Sequence, residues 1–93
     1  MNRQKRLSYF KSKKILITGA GSGIGKATAL QLAELGAYLI ITDLNPDSLE
    51  LTAVETRQLG AAGVDTHVVD VSDWDDMQAM AIKVRKQHSA LDV

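Results

Sequence analysis

The stretch that most constrains this chain is Thr18-Gly19-Ala20-Gly21-Ser22-Gly23-Ile24-Gly25. An apolar run, Ile15-Leu16-Ile17, leads into it, and a helix-forming segment, Lys26 to Leu35, leads out. Ordering a glycine carries an entropic penalty of about 1 kcal/mol relative to alanine, and a plain turn needs only one or two. Four between positions 19 and 25 call for a backbone that turns tightly and lets something approach where a Cβ would obstruct it. The first N–H groups of the following helix have no intrahelical partner, and the helix dipole places partial positive charge there. A strand, a glycine turn and a helix in that order form a cradle suited to a phosphate or pyrophosphate.

Spacing separates the competing glycine patterns. The phosphate loop of nucleotide triphosphatases needs Gly, four residues, then Gly-Lys-Ser/Thr. Here Ala20 stands where its first glycine belongs, and Ala27 stands where a hydroxyl would hold magnesium. The G-x-G-x-x-G fingerprint fails as well, because its last glycine would fall on Ile24 or Lys26. The pattern that fits is T-G-x-x-x-G-x-G, Thr18 to Gly25. This resembles the cofactor turn of the short-chain dehydrogenase/reductase family. The resemblance covers roughly residues 13 to 93 and about a third of a typical member. It implies an α/β fold, the first half only of a Rossmann-like doubly wound parallel sheet, with strand order 3-2-1 and three helices. It also implies cofactor contacts from Gly19, Ser22, Gly23, Ile24 and Gly25.

A chain of 93 residues has room for one small domain. It carries 11 basic and 11 acidic residues, a balance that argues against nucleic acid as the main partner. Cysteine is absent, which excludes disulfides and thiolate metal sites and suits a reducing cytoplasm. No apolar run approaches the roughly 20 residues of a membrane span, and the basic start lacks the apolar core of a secretory signal. The expected location is cytoplasmic, with no membrane partner.

Taken in order, residues 1–13 form a basic leader with a small apolar patch, Leu7, Tyr9 and Phe10, and residues 14–93 form the domain, truncated at the start of a fourth strand. Tyr9 and Lys13 have the Tyr-x-x-x-Lys spacing of the family's catalytic pair, but they precede the first strand, where chance is the better account. Lys14 to Thr18 reads as the first strand, Gly25 to Leu35 as a helix and Gly36 as its stop. Tyr38 to Thr42 reads as the second strand, ending at Asp43. That carboxylate lies 24 residues past Gly19, close to the spacing of the acidic residue that accepts from ribose hydroxyls in dinucleotide folds. The alternative is an Asp opening the turn Asp43-Leu44-Asn45-Pro46, which Asp favours. In the family, a basic residue just before the second glycine or just after the second strand marks the phosphorylated cofactor. Ser22 and Leu44 hold those places, so the expectation is NAD in preference to NADP.

Asn45-Pro46 caps and opens a second helix that ends near Leu59-Gly60, with Leu49, Ala53 and Thr56 on its apolar face. Val64 to Val69 reads as the third strand, with His67 facing solvent or a neighbour and no second ligand nearby for a metal. Asp70-Val71 follows. In the family, an Asp and a small apolar residue here take the adenine amino group and a ring nitrogen. Ser72-x-x-Asp75 resembles a capping box for a third helix, Trp74 to His88, whose core face holds Trp74, Met77, Ala81 and Val84. His88 falls in its last turn, where a cation suits the dipole. Ala90 to Val93 approaches a fourth strand.

The resemblance implies an NAD(P)-dependent oxidoreductase that interconverts an alcohol and a ketone, with homo-oligomers expected only of the full-length protein. The family's catalytic residues lie beyond this stretch, so none is assigned here. The isolated chain is expected to bind a dinucleotide without turnover. The alternative reading is a non-catalytic nucleotide-binding fragment.

Overall fold

A computed structural model describes residues 9–88 and 90–93. Arg3, Lys5, Arg6 and Leu7 of the leader lie outside the described residues. Among the described residues from Lys14 onward, three strands and three helices alternate: β1 (Lys14–Ile17), α1 (Gly23–Glu34), β2 (Tyr38–Asp43), α2 (Pro46–Leu59), β3 (Gly63–Val68) and α3 (Trp74–Gln87). The strands form one parallel sheet in the order β1-β2-β3, with Ile15 opposite Leu39 and Ile40 opposite Asp65. Strand order and element order match the expected half of a doubly wound sheet.

Alternation along the strands divides the core. Ile15, Ile17, Leu39 and Ile41 face α1 and α2, where they meet Ala29, Ala33, Leu49 and Ala53. The two alanines sit four residues apart on one face of α1, so that helix approaches the sheet closely. Ile40 points the other way and packs with Val69, Met80 and Val84 beneath α3. Helices therefore cover both faces, which is why β2 is apolar at nearly every position and has Leu39 to Thr42 fully buried.

The chain returns from α3 to the free side of β1. There the Leu16 amide donates to the Val93 carbonyl at 2.8 Å and the Asp92 amide donates to the Lys14 carbonyl at 2.8 Å. Successive connections thus run outward from β1 to β3 and then reverse to β1's other edge. Open α/β sheets bind ligands outside the carboxyl ends of the strands at such a reversal. The glycine turn leaves the carboxyl end of β1, which is that place.

Several expectations need correction. Helix α1 begins at Gly23 rather than Gly25, and β3 runs one residue earlier than its apolar pattern suggests. Ser72 does not cap α3. Asp73 does, accepting from the amides of Asp75 and Asp76, while the Ser72 hydroxyl is drawn back to Asp70. Trp74, the first residue of the helix, is 72% exposed, and Ala81 is exposed too; Met80 and Val84 are the buried pair. His88 does not sit exposed in a last turn. It lies just past α3, buried, with Nε2 2.7 Å from Asp65 and its ring edge-on to Tyr38. The Tyr38 hydroxyl donates to the other Asp65 oxygen at 2.9 Å, so one carboxylate ties the end of α3 to β2 and β3. Burial, then that bond, pushes the Tyr38 phenol above its usual range.

At the other end of β1, Phe10 packs against the core and the Ser12 amide donates to the Gly36 carbonyl, so the last residues of the leader are joined to the domain. Lys13 sits over the Tyr9 ring at 5.4 Å, at the amino end of β1 and away from the glycine turn. That position bears no relation to a catalytic pair.

Candidate functional site

The turn after β1 has two halves with different tasks. Residues Ala20 and Gly21 are bound to the protein. The Ala20 amide donates to the Thr42 carbonyl at 2.9 Å, and the Gly21 amide donates to Asp43 Oδ2 at 2.8 Å. A Cβ on Gly21 would meet the Asp43 carboxyl and the Ser48 Cβ at 2.9 Å, so the backbone touches the start of α2 where only glycine fits. At Gly25 a Cβ would lie 2.2 Å from the Gly19 carbonyl oxygen. The first turn of α1 therefore rests directly on the backbone that leaves β1.

The other half is open. Gly19 and Gly23 have φ of 65° and 59°, and a Cβ on either would meet no protein atom within 4 Å. Ser22 is the N-cap of α1, yet its side chain makes no capping hydrogen bond, and the first turn holds no acidic residue. The other two helices differ on both counts. Asn45 caps α2 with Asp47 in the first turn, and Asp73 caps α3 with Asp75 and Asp76. Amides and dipole are thus neutralised from within at α2 and α3 and left open at α1. An anion is the group that completes such an end. Ile24, in that first turn, is 87% exposed beside the same opening.

Lys26 is committed elsewhere: its ammonium pairs with Glu55 of α2 at 3.1 Å. A phosphate loop would aim that lysine at the phosphates, so geometry joins spacing in rejecting that reading.

Asp43 closes β2 next to the turn. Its Oδ1 accepts from the Asn45 amide at 3.0 Å and its Oδ2 from Gly21. Those two backbone donors, Asn45 foremost, hold the carboxyl below its ordinary value of 3.8. The group is ionised at neutral pH, and each oxygen keeps acceptor capacity for a further donor. The carboxylate thus opens the turn after β2, as Asp favours, and it also faces the glycine turn.

Asp70 and Val71 follow β3 at the same end of the sheet. Asp70 Oδ1 accepts from the Ser72 hydroxyl at 2.6 Å and the Ser72 amide at 2.9 Å, which lowers its pKa from 3.8. Val71 is 60% exposed. The fold thus gathers Gly19, Ser22, Gly23, Ile24, Gly25, Asp43, Asp70 and Val71 along the carboxyl ends of three adjacent strands. Thr52 was not among the expected residues. It is fully buried on α2, and its hydroxyl donates to the Ala20 carbonyl at 2.8 Å. The signal for it was available: a threonine three residues after Leu49 shares the apolar face, where a hydroxyl must find an acceptor.

The profile of the short chain dehydrogenase family matches residues 13–93. This chain belongs to that family. Human estradiol 17-beta-dehydrogenase 11 is 42% identical over 83 residues, which are 89% of this chain and 27% of that protein. An NAD+-bound xylitol dehydrogenase superposes with a TM-score of 0.83 at 34% identity, over 89% of this chain and 32% of its own. A metagenomic short-chain oxidoreductase in complex with NADP gives 0.84 at 31% identity, over 90% and 38%. The chain therefore spans about a quarter to two-fifths of the length of these relatives.

Proposed function

We propose that this chain is the dinucleotide-binding part of a short-chain oxidoreductase, and that the intact protein interconverts an alcohol and a ketone using NAD. The observation that carries the reading is the uncapped, acid-free start of α1 above two glycines that face open space, with the Asp43 carboxylate beside it. The amides of Ser22 to Gly25 would hold the pyrophosphate, and Asp43 would accept from the ribose hydroxyls. Asp70 and the Val71 amide would take the adenine. The nicotinamide, when bound, supplies the hydride acceptor or donor; these residues only bind and orient it. The two superposed enzymes, one bound to NAD+ and one to NADP, support a nicotinamide dinucleotide of either kind.

The preference for NAD rests on charge. An ionised Asp43 repels a 2′-phosphate, and neither Ser22 nor Leu44 offers a cation to offset it. A hydrogen bond to a charged group contributes about 1.5–3 kcal/mol, roughly ten- to a hundredfold in affinity. Asp43→Ala should weaken NADH binding by about that range and ease NADPH binding, as read by titration of both cofactors. An unchanged preference removes Asp43 from this role. By the same reading the 93-residue chain binds without turnover, and its cysteine-free composition suits the cytoplasm.

A further inference from the structure

Threonines inside helices ordinarily return their hydroxyl proton to the carbonyl four residues back. Thr56 does so within α2, bonding the Thr52 and Ala53 carbonyls at 2.9 Å. Thr52 departs from that habit. Its shortest bond, 2.8 Å, crosses to Ala20 in the glycine turn, 32 residues earlier, and the Ser48 carbonyl at 3.2 Å is left second. Thr52 and Ala20 are both fully buried, so water does not replace this donor readily. Among the described residues, the other hydrogen bonds that fix this half of the turn come from the end of β2: Thr42 holds the Ala20 amide and Asp43 holds the Gly21 amide. From α2, Gly21 has only close packing against Ser48, and the hydrogen bond is that of Thr52.

We propose that Thr52 is a positioning residue for the dinucleotide, a latch that fixes the Ala20 carbonyl and so keeps the next amide, Gly21, on Asp43. The inference rests on the dinucleotide reading above. Without the hydroxyl, the Ala20 carbonyl is buried unpaired in the binding shape of the turn, and the turn leaves that shape to find a donor. If one chain in ten retains it, the apparent dissociation constant rises about tenfold.

The test is an NMR titration of the 93-residue chain with NADH, alongside hydrogen exchange at the Ala20 and Gly21 amides. Thr52→Val keeps the shape and removes the donor. It should weaken binding about tenfold and leave both amides exchanging at close to their unprotected rates, because the open form then holds about nine chains in ten. Thr52→Ser should restore both to within about twofold, because it restores the donor. Thr56→Val, which removes a hydroxyl whose acceptors belong to the same helix, should leave the dissociation constant unchanged. Native affinity and native exchange in Thr52→Val overturn the latch. If the native chain binds no NADH, the dinucleotide reading fails on its own, and the exchange comparison still decides the latch. If Thr52→Val does not fold, Thr52→Cys, a much weaker donor, replaces it under the same two readings.

Discussion

Replacing Gly25 by alanine separates two opposite expectations. In the interior of a helix, alanine is favoured over glycine by up to about 1 kcal/mol, so a merely helical Gly25 would gain stability from the change. The structure predicts a loss. The new Cβ would lie 2.2 Å from the Gly19 oxygen, 2.8 Å from its carbonyl carbon and 3.1 Å from the Thr18 oxygen. All three are backbone atoms, so no side chain can rotate away. The start of α1 must retreat by roughly 1 Å, against the close seating of Ala29 and Ala33 on the sheet, and overpacking of this kind typically costs 1–3 kcal/mol. Taking the upper part of that range and subtracting the helix preference leaves about 2 kcal/mol of net destabilisation. For a domain of this size each kcal/mol moves the midpoint by about 4–8 °C, so Tm should fall by roughly 8–16 °C. The same retreat widens the cradle and should weaken NADH binding. Thermal unfolding by circular dichroism, with cofactor titration beside it, reads both. A Tm equal to or above that of the native chain would refute the argument that α1 rests on the turn backbone.

Gly19→Val should abolish NADH binding, because its side chain would enter the open space of the cradle and strain a residue at φ 65°; retained affinity in a titration would remove Gly19 from the site. Asp73→Ala should cost about 1 kcal/mol in a denaturant melt through loss of the α3 cap, with Ser72→Ala costing less; the reverse order would restore the capping-box reading. The lowered Asp43 carboxyl contributes stability that is complete above its unfolded value near 3.8 and lost as pH falls through its lower folded value. Acid titration of Asp43→Asn should lack that share of the loss. Burial lowers the His67 pKa below 6.5, so between its folded value and 6.5 the unfolded chain holds more protons and stability rises with pH. In His67→Gln that slope should flatten.

The parts of the fold legible in the sequence were those set by local rules. Glycine spacing located the turn, unbroken apolar runs located β1 and β2, and Asn45-Pro46 located the start of α2 within a residue. What remained hidden depends on distance. Asp65, Tyr38 and His88 meet only because β3 lies beside β2 and α3 ends beneath them, and no spacing in the chain encodes that contact. Period alone offered a stripe through Trp74 and Ala81, but the residues of α3 that meet Ile40 and Val69 are Met77, Met80 and Val84. Ser72 and Asp73 are both able caps, and the choice fell to Asp73 once Asp70 engaged the serine. The residues of the candidate site were legible from motif spacing, and the fold brings them to one end of the sheet. Its support was not, since Thr52 acts on a turn 32 residues away.

If the glycine turn and Asp43 form one dinucleotide site, amide-resolved NMR of the native chain, titrated with NADH and, separately, NADPH, will register it residue by residue. Saturable shifts are expected at Gly19 to Gly25, Asp43 and Val71 with NADH, and much weaker ones with NADPH. A well-dispersed spectrum in which neither cofactor moves those amides would contradict it.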